Sequence, residues 1–263
     1  MTNRPTWGDV GPQWSGADAA TIVELVRRAC VRFPSAPAMI FEDGLVVKYS
    51  HLLERVQQFA GYLRSRIHRE ERVAIILGNR AEFMIAWLAT VAVRGTVVSI
   101  NPASKSHDAG HALQDSESVM VITDDEHRDL VGRLRNQCPT LRDELYVSGS
   151  EPDGLGAYCA GVTPLPLSES RAERRDIVNI YYTSGTTGPP KGCMVDHEWW
   201  LRTVDVLLRR IPTGHEDRQL CCLQFFYSDP GHQLLECLQT GGHSSSCGGS
   251  ASPGSGMSYA TMG

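Results

Sequence analysis

Apolar positions along the first third of the chain fall at helical spacing and then switch to short runs. Ile22, Leu25, Val26 and Ala29 recur within Ala17 to Arg32, and Phe33-Pro34 closes the run, which predicts an amphipathic helix. Ala38 to Phe41 and Leu45 to Tyr49 flank Glu42-Asp43-Gly44, a hairpin signal because Asp-Gly readily takes turn conformations. Ser50 stands where it can cap a helix running to about Ile67.

Strand and helix patterns then alternate. Apolar runs at Arg72 to Leu77, Thr96 to Ile100 and Val119 to Thr123 are separated by helical segments at Ala81 to Val93, Ser106 to Asp115 and Asp124 to Asn136. Parallel strands need long crossovers, so this order predicts an α/β fold, a parallel sheet covered by helices. Residues 149–175, rich in Gly and Pro, read as a linker before a strand at Ile177 to Thr183, and Glu198 to Arg210 reads as a further helix.

Composition narrows the function classes. The 263 residues, 41% hydrophobic and 21% charged, suffice for one large or two small domains. A net charge of -5 offers no general basic field, so no nucleic acid partner is expected. No run of 18 apolar residues and no apolar leader occur, which predicts no membrane span and a cytoplasmic location. The eight cysteines are scattered without CxxC pairs and read as reduced thiols.

The densest chemistry lies in Thr183-Ser184-Gly185-Thr186-Thr187-Gly188, followed by Lys191. Hydroxyls, approachable backbone N–H groups and an ammonium are what phosphate oxygens require. The P-loop pattern GxxxxGK[ST] also puts a lysine six residues after its first glycine, as Lys191 follows Gly185. However, Pro190 replaces the glycine before the lysine, and Gly192 replaces the Ser or Thr that would hold Mg²⁺. P-loop kinase or ATPase chemistry is therefore disfavoured.

Tyr182 to Gly192 resembles the signature phosphate loop of the adenylate-forming superfamily, which comprises acyl-CoA synthetases, peptide-synthetase adenylation domains and luciferases. The resemblance runs from about Ile22 to Gly242, with support from Arg72 to Asn79, Gly95 to Pro102, and Leu113 to Ser116 leading to Val121 to Asp124. It implies part of the large N-terminal domain of an acyl-CoA synthetase-like fold. It also implies that a small-molecule carboxylic acid attacks the α-phosphate of ATP with Mg²⁺, and that a thiol then captures the acyl-adenylate. CoA is the first acceptor implied, and a carrier protein is the alternative. By this resemblance Thr183, Ser184, Gly185, Thr186, Thr187, Gly188 and Lys191 bind the triphosphate. Leu223 to Gly231 resembles the stretch that commonly reads Leu-Pro-Leu-Phe-His, with Tyr227 in place of the histidine beside the acyl pocket and Gln224 in place of the proline.

No catalytic and no metal-ligating residue is assigned. His107 and His111 are four apart on a predicted helix but lack a third ligand, and His197 reads as a satisfied polar residue beyond a strand. The sequence contains neither the acidic Tyr-Gly-x-Thr-Glu stretch nor the Thr-Gly-Asp stretch that the family places on the nucleotide. The chain thus divides into a tail at 1–17, a truncated AMP-binding domain at 18–242 and a low-complexity tail at 243–263. Shifting the codon frame of that tail by one base permits an aliphatic strand followed by an amphipathic helix, so a frameshift is favoured over a flexible linker. Resequencing the locus tests it. An inactive fragment or nucleotide-binding module stands as the alternative to an acid–thiol ligase.

Overall fold

The computed structural model describes residues 18–148, 154–183 and 189–246. Helix α1, Ile22–Arg32, begins where the Thr21 hydroxyl accepts the Glu24 amide at 3.2 Å and the Glu24 carboxylate accepts the Ala20 amide at 2.8 Å. This exchange satisfies a first-turn N–H and the N–H just ahead of the cap, and it sets the start at Ile22 rather than Ala17. Strands β1, Pro37–Ile40, and β2, Val46–Lys48, form the expected hairpin, with Gly44 at φ +88° and Asp43 accepting the Leu45 amide. Helix α2, Tyr49–Leu63, starts without a side-chain cap, so Ser50 is not its N-cap, and it stops short of Ile67. Burial fixes this start instead: the Tyr49 hydroxyl lies 2.6 Å from the Gly242 carbonyl oxygen and 2.8 Å from that of Cys237.

The alternation continues through β3, Arg72–Ile76; α3, Ala81–Ala92; β4, Thr96–Ser99; α4, Ser106–Asp115; and β5, Met120–Asp124. A 3-10 turn capped by Asp124 then precedes α5, Arg128–Arg135, and β6 follows at Asp143–Val147. Strand β6 escapes pattern reading because only Leu145 and Val147 are buried, as befits an edge. The presumed linker holds the short α6, Gly156–Cys159. Beyond it come β7, Ile177–Thr183; β8, Lys191–Asp196; α7, His197–Arg210; β9, Arg218–Cys221; α8, Ser228–Thr240; and β10, His243–Ser246.

Two sheets organise these elements. The larger has the order β6-β5-β3-β4-β7-β8, parallel throughout except for β8, which runs antiparallel to β7. Along β3, Val73 and Ile75 enter one core cluster, and Ala74 and Ile76 enter another beneath α4 and α5. That alternation is the period of a strand buried on both faces. On the first face all twelve residues of α3 are buried, because the helix is wedged between this sheet and α1 and α2.

The smaller sheet, β2-β1-β10-β9, was not foreseen, and it takes in residues 243–246, which carry no apolar periodicity. These residues pair in parallel with both β1 and β9. Serine has little intrinsic strand preference, so the two flanking edges supply what the side chains do not. No helix among the described residues is long and apolar enough to cross a membrane.

Candidate phosphate loop and substrate cleft

Strands β7 and β8 are joined by residues 184–190, and their ladder sets Thr183 directly opposite Lys191 and Tyr182 opposite Gly192. Directly opposed residues present their side chains on the same side of an antiparallel pair. The Thr183 hydroxyl and the Lys191 ammonium, both exposed, therefore flank the mouth of the connection. Ser184, Gly185, Thr186, Thr187 and Gly188 lie outside the described residues.

The stems of this connection are held from α4. Tyr182 donates its hydroxyl to Asp115 Oδ2 at 2.6 Å, and burial together with that carboxylate pushes the phenol pKa upward. His111 Nε2 lies 2.8 Å from the Pro190 carbonyl oxygen. A carbonyl can only accept, so Nε2 carries the proton. On the sheet, a Cβ at Gly192 would stand 2.9 Å from Ile180 Cγ2 and 3.3 Å from Tyr182 Cζ. The glycine after Lys191 thus leaves room for the Tyr182 ring to cross the ladder.

A narrow cleft, with room for little more than one water and partly open to solvent, lies between α3, β4, β7, α7 and the turn before α8. Phe83, Met84, Trp87, Trp200 and Phe225 give it apolar walls; Ser99, Asn179 and Tyr181 add polar atoms. The Trp87 indole N–H donates to Asn179 Oδ1 at 2.8 Å, and the rings of Trp87 and Trp200 are 5.2 Å apart. Tyr227, half exposed, borders the cleft. Asn79 fastens the turn that carries these aromatics: its side chain accepts the Phe225 amide at 2.7 Å and donates to the Leu223 carbonyl at 3.0 Å. Tyr181 in the cleft wall and Thr183 at the loop are two residues apart on β7, so loop and cleft adjoin.

A strand–loop–strand connection is incompatible with the P-loop, in which a helix follows the loop. The family model described as AMP-binding enzyme matches residues 26–249. This chain belongs to that family. Tyrocidine synthase 2 of Brevibacillus parabrevis is 28% identical over 199 residues, covering 75% of this chain and 5% of that protein. The long-chain-fatty-acid–CoA ligase FadD15 of Mycobacterium bovis is 31% identical over 188 residues, 64% of this chain and 31% of the ligase. Among solved structures, the inhibitor-bound N-terminal domain of FACL13 from Mycobacterium tuberculosis superposes with a TM-score of 0.77 at 22% identity, covering 86% of this chain and 57% of that one. Apo MatB from Rhodopseudomonas palustris gives 0.71 at 22% identity, covering 85% and 44%. The chain therefore spans less than two thirds of each of these proteins.

Other candidates of the AMP-binding chain have structural explanations. His197 Nδ1 accepts the Ile22 amide at 3.1 Å, and burial lowers its pKa to about 4, so a neutral ring ties α7 to the start of α1. His107 is exposed beside Asp108, and the described residues hold no group of three or more His, Cys, Asp or Glu side chains suited to a metal. The sequence reading missed Asn79, Trp87, His111, Asp115 and Trp200 as parts of the site. A polar Asn79 just after an apolar strand and the Trp199-Trp200 doublet were the available signals.

Proposed function

We propose that this AMP-binding chain serves an AMP-forming acid–thiol ligase, in which a carboxylate attacks the α-phosphate of ATP, displacing pyrophosphate and giving an acyl-adenylate. The placement of Thr183 opposite Lys191 beside an aromatic-walled cleft carries the reading. A hydroxyl donor and a cation suit phosphate oxygens, and Mg²⁺ brought with the triphosphate would further offset charge where two anions meet. Ser184, Gly185, Thr186, Thr187 and Gly188 would complete the triphosphate cradle. The cleft's aromatic lining has the chemistry to face the hydrocarbon part of a carboxylic acid, which would have to part these side chains to enter, with Tyr227 at the border.

CoA is the acceptor we favour, supported by relatives named as CoA ligases; a carrier protein is the second choice, supported by the likeness to Tyrocidine synthase 2. The chain contains no stretch resembling the family's ribose-binding sequences, which favours a second reading: these 263 residues alone bind nucleotide without turning it over. Carboxylate-dependent exchange of labelled pyrophosphate into ATP, run on this chain and on its frame-restored form, separates the readings. Exchange only in the restored form supports both a ligase parent and an inactive chain. No exchange in either, across short and long acids, would sink the ligase reading.

A further inference from the structure

We propose that α4 positions the phosphate loop, with His111 as the residue that fixes its outgoing stem and hence Lys191; the proposal rests on the phosphate-loop reading above. His111 and Asp115 are four apart and so share one face of the helix. Asp115 accepts the Tyr182 hydroxyl at 2.6 Å, and His111 donates to the Pro190 carbonyl at 2.8 Å. Tyr182 immediately precedes Thr183, and Pro190 immediately precedes Lys191. Each of the two described residues at the loop mouth thus follows directly on a residue bound to α4.

The two attachments also brace each other, since the His111 and Tyr182 rings meet edge to face at 5.9 Å and 81°. On the outgoing side the Pro189-Pro190 pair restricts φ at both residues and offers no N–H. Its carbonyl is therefore the group through which a side chain can hold the backbone. His111 reaches that carbonyl, while His107, one turn earlier on α4, is exposed and among the described residues meets Asp108. As a positioning residue, His111 would govern where the Lys191 ammonium stands without touching phosphate itself.

The test compares His111→Ala, which removes the donor, with His111→Gln, whose side-chain amide can restore an Nε2 donor, and with His107→Ala as a control. The probe is Mg²⁺ with tripolyphosphate, which addresses the loop without ribose contacts, measured by calorimetry beside amide hydrogen exchange at Lys191 and Gly192. We expect His111→Ala to weaken tripolyphosphate binding about tenfold and to speed exchange at both amides. His111→Gln should return to within about twofold of the parent in both readouts, and His107→Ala should change neither. Unchanged exchange in His111→Ala, or a glutamine variant as impaired as the alanine one, overturns the proposal. If the parent chain binds no tripolyphosphate while exchange still follows donor loss and rescue, the anchoring stands and the triphosphate reading of the loop fails.

Discussion

The ring of Tyr182 lies over the backbone of Gly192, its cross-strand partner, so closely that a Cβ there would come within 3.3 Å of the ring. Gly192→Ala would also press on Ile180, from which the new atom would be 2.9 Å away. Both neighbours are side chains and can shift, so we expect a loss of roughly 1–3 kcal/mol, the usual cost of overpacking. Chemical denaturation reads the loss directly. A variant as stable as the parent would mean the ring is not confined there.

Acid should destabilise the fold through two buried imidazoles. Burial lowers the pKa values of His197 and His232 to about 4 each. Unfolded histidine binds its proton near 6.5, so between those values the unfolded chain holds more protons and stability falls as pH drops. Each ring contributes up to about 3 kcal/mol of that loss by pH 4. The pair formed by Asp124 and His127, 2.6 Å apart, acts in the opposite sense for its histidine, whose raised pKa adds stability that is present below pH 6.5 and lost as pH rises through the folded value. Urea midpoints measured from pH 7 to pH 4.5 should therefore decline, and His232→Phe should flatten the decline by about half. A parent profile flat over that range would refute burial of the neutral rings.

The unmet hydroxyl in β10 gives a stabilising variant. Among the described residues Ser245 Oγ is buried with no hydrogen-bond partner, while its backbone pairs with Ile40 and Leu220. Replacing it by valine removes an unsatisfied polar atom and supplies a side chain suited to a strand. We expect Ser245→Val to raise stability by about 1 kcal/mol, seen as a Tm a few degrees higher. An unchanged or lower Tm would show that the slot does not want an aliphatic residue.

Asn79 and Tyr227 should separate structural from substrate effects on the same turn. Asn79→Ala removes bonds to both Leu223 and Phe225, with an expected loss of about 1–3 kcal/mol. Tyr227, half exposed, should yield an alanine variant within about 0.5 kcal/mol of the parent. In a full-length ligase carrying this domain, Tyr227→Ala should raise the KM for the acid while leaving that for ATP unchanged. Equal effects on both substrates would remove Tyr227 from the acid pocket.

What the sequence revealed follows from how each element is held. Helix α4 and strand β7 match their predicted bounds because apolar spacing alone distinguishes them. Strand β8 was missed: four of its six residues are exposed, and its pairing with β7 rather than its side chains makes it a strand. The same holds for β10, whose serines carry no strand pattern. Helix α8 was not foreseen: the resemblance at Leu223 to Gly231 gave Tyr227 a place beside the acyl pocket but no secondary structure, and Tyr227 is the helix's N-cap residue. Thr183, Lys191 and Tyr227 could be named from local motifs, but the contacts of His111 and Asp115 join segments far apart in sequence, and no local spacing encodes them.

The return of the proposed phosphate loop as strand β8 has an electrostatic consequence. Where a helix follows a phosphate loop, its aligned peptide dipoles present partial positive charge to the anion. Sheets carry little net dipole, so β8 contributes none of that field. Along the described part of the connection and its stems, the ammonium of Lys191 is the only formal positive charge. The charge-dependent part of polyphosphate affinity here should thus lean on one exposed side chain and on the metal that travels with the phosphates, and it should weaken steeply as ionic strength rises.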